Sequence, residues 1–386
     1  MIQSIIVYSF LLAFMLLFAK ITSQTSNTYL TPQGYRTKSS FWTLDTILPL
    51  LMFSVIFGMR FDVGKDYISY LNSYLYDFRT EKFEFLYKLI LDVSNDLRLH
   101  FSIYFGILAF IQVFFFFYAF KKEKFLYVYL MLFLFTNGDV FFWMNGIRQA
   151  LAMCIWIYSI KYIEEKKFKN YLFWGIIAFM FHRSAIFLII FYPLLKNGRD
   201  YFKSISFQIL LITLAFIVKN AFFDLILKIN FLIEFYTSII GEELYRSYDM
   251  DTLLESFSDK EGSGLVFMVE IGINFLIILF STRLKNFYNS KRFIILYFFY
   301  ITGLFTFYLF PVGAISFTRP FRYFYIFQTI ILAYFLYYLI KSKNIYNRIL
   351  YIFLIIFYLS IFYLGQIVSS EENHLWYQFF FQQSYY

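Results

Sequence analysis

Ten apolar runs recur along the chain, at 2–19, 42–59, 101–120, 125–142, 146–163, 204–220, 265–281, 293–310, 321–340 and 348–366. About 20 apolar residues cross the hydrocarbon core of a bilayer as a helix. Inside that core every backbone N–H and C=O must find a partner within the protein, so runs of this length read as helices. The sequence is 60% hydrophobic and only 15% charged, more apolar surface than a soluble fold could hide. The expected fold is an all-α polytopic membrane protein forming a single domain over 1–386, with about 10–12 transmembrane segments. The first run lacks a charged leader and a small-residue cleavage site, so it is expected to stay as a span.

The charges between the runs set the topology. The connection 20–40 carries Lys20, Arg36 and Lys38 and no acid, which places it in the cytoplasm. The next loop, 60–98, holds six bases against seven acids and is expected outside. "KKEK" at 121–124 and "KYIEEKKFKN" at 161–170 return to the cytoplasm. The acidic loop 221–264 and the tail with Glu371 and Glu372 fall outside, while the bases of 282–292 and 341–348 fall inside. The net charge of +9 is thereby explained without a nucleic-acid partner. Cys154 is the sole cysteine, which excludes an intrachain disulfide. Three histidines leave little material for a metal site, and no cofactor is expected.

One apolar stretch breaks this alternation. Residues 171–195 carry His182, Arg183 and Ser184 at their centre, and Lys196, Arg199 and Lys203 follow. A single crossing would put those bases outside and invert every later loop. The stretch is therefore expected to be a broken or re-entrant hairpin with His182–Ser184 at its tip, the alternative being one tilted helix. Non-helical backbone at that depth needs protein or a watery cavity around it.

Lysine dominates the cytoplasmic loops, whereas arginine collects at the outer ends of the spans. Arginine's planar fork suits a phosphate, because it forms paired hydrogen bonds. Arg60 opens "RFDVGKDYISY", Arg148 lies in "NGIRQALA", and Arg183 sits at the hairpin tip. Arg319 and Arg322 occupy "TRPFRYF", where Pro320 fits a helix start. These five are expected to converge on a multiply charged phosphate. Each has a plainer alternative as a salt-bridged or interfacial arginine. Asp66 and His182 are the candidate bases, and Glu270 is a further intramembrane acid facing the same way as Asn274. Tyr67, Tyr70 and Gln149 are candidate sugar contacts.

In order along the chain, these elements resemble the EpsG family among the Wzy-type polysaccharide polymerases. "RFDVGKDYISY" resembles its Gly-x-Asp-Tyr element, "NGIRQALA" its Asn-x-x-Arg-Gln element, and "AFMFHRSAIFL" its Phe-His-x-Ser-Ala element. "RPFRYF" is a weaker match, and the acidic insert 241–264 departs from the pattern.

The resemblance implies a metal-independent glycosyltransferase with a multispanning fold similar to the GT-C type. It would join repeat units carried on undecaprenyl pyrophosphate at the outer face of a bacterial inner membrane, in exopolysaccharide, capsule or O-antigen synthesis. A flippase and a chain-length regulator are the implied partners, beside membrane lipid. A lipid-linked oligosaccharide flippase and a membrane O-acetyltransferase are the rival readings.

Overall fold

The computed structural model describes residues 1–31, 34–228, 264–310, 318–368 and 375–382. Seven of its helices are long and apolar enough to cross a membrane: Ile2–Thr25, Phe101–Ala119, Ile205–Phe222, Leu265–Tyr288, Lys291–Leu309, Arg319–Lys341 and Ile345–Val368. The chain is an all-α, multi-pass membrane protein. Its described residues fall into two compact units, Met1–Pro193 with Leu332–Tyr386, and Leu194–Ile331.

The first unit begins with α1 (Ile2–Thr25). A two-stranded antiparallel hairpin follows, β1 (Asn27–Thr31) with β2 (Gly34–Lys38), pairing Asn27 with Lys38. The charge pattern does not foresee these strands. Helix α2 (Leu44–Gly58) leads to α3 (Tyr67–Tyr76), α4 (Phe85–Asp96) and α5 (Phe101–Ala119). Helices α2 and α5 approach closely because they meet at glycine. A Cβ added to Gly58 would lie 3.0 Å from the Cα of Gly106, and Ser54 Oγ donates to the Gly106 carbonyl at 2.6 Å. Small residues bring helix backbones together in the same way in membranes generally. At 15 residues α2 is only about 22 Å long. Leu44, Leu48, Leu51 and Val55 form an exposed apolar stripe along it.

The expected span 125–142 is broken. Helix α6 (Tyr127–Thr136) and α7 (Asp139–Asn145) meet at a 60° bend. Gly138 takes φ 81° at the bend, which a side chain resists, and Gln366 packs over it and donates to the Thr136 carbonyl at 3.1 Å. A second break at Gly146 precedes α8 (Ile147–Ser159). Gln112 of α5 donates toward the Trp143 and Ile147 carbonyls, both at 3.3 Å. Amide side chains thus reach backbone carbonyls on either side of the breaks.

After α9 (Lys161–Glu164), α10 (Phe168–Phe179) runs to a turn at Met180–His182. The return arm is a 3-10 helix, Arg183–Ile190, continued by α11 (Phe191–Leu195). The arms pack antiparallel: Tyr171 near the start of α10 donates to the Leu188 carbonyl at 2.6 Å and its ring lies 5.6 Å from Tyr192. The chain reverses where the charge argument places the tip.

The basic loops meet at one end of this unit. Thr37 N–H donates to the Lys122 carbonyl at 2.7 Å, Arg36 pairs with Glu164 at 2.7 Å, and Arg36 lies 4.0 Å from Glu123. The 59–61 segment instead pairs with the C-terminal tail. Phe61 N–H donates to the Gln378 carbonyl at 2.9 Å, and Tyr377 N–H to Ser4 Oγ at 2.8 Å. Loops given one side by charge are therefore neighbours in space.

The second unit holds α12 (Ile205–Lys228), α13 (Leu265–Tyr288), α14 (Lys291–Leu309) and the start of α15 (Arg322–Lys341), and α16 (Ile345–Ser360) belongs to the first. In the second unit Lys285 pairs with Asp200 at 2.8 Å, and Lys291 donates to the Lys196 carbonyl at 2.9 Å, so the expected cytoplasmic loops 196–203 and 282–292 also meet. Asn274 accepts from Tyr300 at 2.9 Å and donates to Tyr308 at 3.2 Å. Most of the expected outer loop 221–264, with residues 241–263 of its acidic insert, lies outside the described residues.

Candidate functional site

Three sequence elements meet in the first unit. The Gly146 break starts α8, and Arg148 stands in its first turn. Arg148 Nη1 donates to Glu84 Oε2 at 2.6 Å, and its guanidinium lies 4.9 Å from the centre of the Phe83 ring. Arg148 also hydrogen-bonds the Tyr70 hydroxyl. The Tyr70 ring neighbours Phe83 at 6.4 Å and Tyr87 at 6.0 Å. Burial raises the Tyr70 phenol above its ordinary range, and the charge of Arg148 acts in the opposite direction.

The hairpin tip closes against the same carboxylate. Arg183 N–H opens the 3-10 helix, where it has no partner along the helix, and it donates to Glu84 Oε1 at 3.2 Å. In return, Leu86 N–H in the first turn of α4 donates to the Met180 carbonyl at 3.0 Å. His182 is half-buried and extended, with Nδ1 2.7 Å from the buried Ser184 Oγ. The Arg183 side chain is exposed and forms no ion pair among the described residues.

The first element joins through Asn145. Gly64 at φ 101° leaves room for the Asn145 side chain: a Cβ there would lie 2.5 Å from Asn145 Oδ1. That same oxygen accepts the Asp66 N–H at 3.4 Å. Asp66 is exposed at the start of α3.

Three candidates have another placement than the sequence suggests. Arg60 is 2% exposed and boxed by Phe57, Tyr67 and Phe105 rings at 5.3–5.8 Å. Its Nη1 donates to the Phe57 carbonyl at 2.6 Å and Nη2 reaches toward Met144 O at 3.4 Å. Those carbonyls end α2 and α7, where a cation complements the helix dipole. Arg60 therefore caps two helices, and its burial leaves no surface for a headgroup. Tyr67 is fully buried, its hydroxyl donating to the Arg60 carbonyl at 2.9 Å, so its ring faces no sugar. Gln149 is 4% exposed inside α8 and is likewise withdrawn.

Arg319 and Arg322 are partly exposed at the start of α15 in the second unit, after a 3-10 turn containing Pro320. Arg319 lies one turn from Arg322. Glu270 is half-buried one turn before Asn274 on α13.

Glu84 and Phe83 are the site residues that the sequence reading misses. Asp139 is the acid nearest to Arg148 in sequence. Glu84 supplies the paired carboxylate from 64 positions away. Its only local signal is its place just before the amphipathic helix α4. Among the described residues no three His, Cys, Asp or Glu side chains gather as a metal site.

Fold and site together define a multi-pass membrane protein whose broken helices carry an arginine, a histidine turn and a bridging carboxylate. Residues 43–381 match the EpsG family. The chain belongs to the EpsG family. No curated protein and no solved structure matched it.

Proposed function

We propose that the chain polymerises oligosaccharide repeat units carried on undecaprenyl pyrophosphate, at the outer face of a bacterial inner membrane. Membership of the EpsG family is consistent with polysaccharide biosynthesis of this kind. The observation that carries the reading is Arg148. It stands at a helix N-terminus, beside the His182 turn, and its side chain stays partly exposed while Glu84 and Tyr70 hold it.

The reaction would be a displacement at an anomeric carbon. The acceptor hydroxyl forms the new glycosidic bond, and the bond from that carbon to the lipid pyrophosphate oxygen breaks. Arg148 and Arg183 stabilise the charge that grows on the departing pyrophosphate. His182 takes the acceptor proton, with Asp66 the competing base. Tyr70, protonated and partly exposed, contacts the sugar. Arg319 and Arg322 are further phosphate ligands in the proposal.

Arg148→Lys keeps the charge and loses the fork. Expressed in a strain lacking the gene, it is expected to reach the membrane and yield only short product, with turnover down about 100-fold. Long chains of normal length from this variant would sink the reading. The deletion strain itself separates the rivals. Single repeat units at the surface fit a polymerase, units trapped inside fit a flippase, and full-length unmodified glycan fits an O-acetyltransferase.

A further inference from the structure

Glu84 has an unusual position for a loop acid. It is 9% exposed, and its two oxygens serve residues 64 and 99 positions away. One oxygen takes the Arg148 guanidinium and the other takes the Arg183 backbone N–H. Segment 84–86 and segment 180–183 thereby exchange two hydrogen bonds, the second from Leu86 N–H to the Met180 carbonyl. Phe83, the preceding residue, lies against the face of the same guanidinium. Removing this carboxylate would take one partner from the arginine and one from the histidine turn at once.

The pair is also built differently from one that only closes a fold. A saturating Arg–carboxylate pair uses two parallel bonds. Here the contact is through Nη1 alone, and Arg148 Nε is buried with no hydrogen-bond partner among the described residues. The carboxylate fixes the guanidinium through one nitrogen and does not pair with both arms of its fork.

We propose that Glu84 is the positioning residue of this site, a single carboxylate that holds Arg148 and the His182–Ser184 turn in one fixed relation for work on a lipid-linked diphosphate. The inference rests on the reading of Arg148 given above. Glu84 acts through Arg148 and the turn and touches no reacting atom.

The test uses the full-length protein in proteoliposomes, with the lipid-linked repeat unit that accumulates in the deletion strain as substrate. Rates are taken per folded molecule. Glu84→Gln keeps the shape, but its single acceptor oxygen cannot serve both partners as two oxygens do. A misplacement of about 1 Å can cost about 100-fold, so kcat is expected to fall about 100-fold with KM within about threefold. Wild-type kcat per folded molecule in this variant would overturn the role of Glu84. It would leave Arg148 standing if Arg148→Lys still fails.

The exchanged pair Glu84→Arg with Arg148→Glu restores an ion pair with the charges reversed. It is expected to raise the yield and thermal midpoint above those of either single change and to remain without turnover. Recovery of turnover would show that the pair serves the fold alone, and both readings would fall.

Discussion

The first unit gathers positive charge at two ends and uses it in opposite ways. At the lysine-rich end, Lys20, Lys38, Lys122 and Lys166 are exposed, and the hairpin β1–β2 is tied down by the Thr37 N–H bond to the Lys122 carbonyl and the Arg36–Glu164 pair. At the arginine-rich end, Arg60 is sealed among rings and helix-end carbonyls, and Arg148 is largely buried against Glu84. Lysine at the first end would suffice for orientation, which depends on charge alone. Arginine at the second end serves geometry, because its planar donors can satisfy carbonyls and carboxylates in fixed directions. The same formal charge is a topological label at one end and a structural bracket at the other.

The contrast can be broken most sharply by labelling. In a Cys154→Ala background, a single cysteine at Lys65 is expected to react with an impermeant reagent applied outside, and cysteines at Lys38 or Lys196 to resist it. Reaction at Lys38 would invert the assignment of the two ends.

The next effect is on stability. Arg60→Leu removes the donor to two helix-end carbonyls and is expected to cost roughly 2–4 kcal/mol, read from thermal unfolding in detergent. A loss below about 0.5 kcal/mol would deny it the capping role. Arg36→Ala at the other end breaks a partly exposed pair and is expected to cost about 1 kcal/mol or less. A loss as large as that at Arg60 would erase the distinction between the ends.

Much of the fold was legible because hydropathy and loop charge are additive along the chain. The long spans and the reversal near His182 follow from them. The bend at Gly138 was hidden because Phe133, Leu134 and Phe135 before it and Val140, Phe141 and Phe142 after it keep the run apolar on both sides of the break. A hydropathy window registers composition and misses a positive φ. Arg60 was misread for a related reason: its partners are the carbonyls of Phe57 and Met144, and backbone groups have no letter in a sequence. Glu84 was missed because its contacts join positions 64 and 99 residues apart, and pairing across such distances appears only after folding. The three resembling elements were visible singly, while the carboxylate that links two of them lies in neither.

The shortness of α2 has a consequence for the surrounding lipid. Its apolar stripe from Leu44 to Val55 belongs to a rod about 22 Å long, shorter than the roughly 30 Å hydrocarbon core of a bilayer. A short apolar stretch in a bilayer is met by local thinning of the lipid or by flanking side chains that reach up to the interface. Either adjustment couples the protein to membrane thickness. Lipids of different tail length then become a control on its shape that acts without touching the arginines.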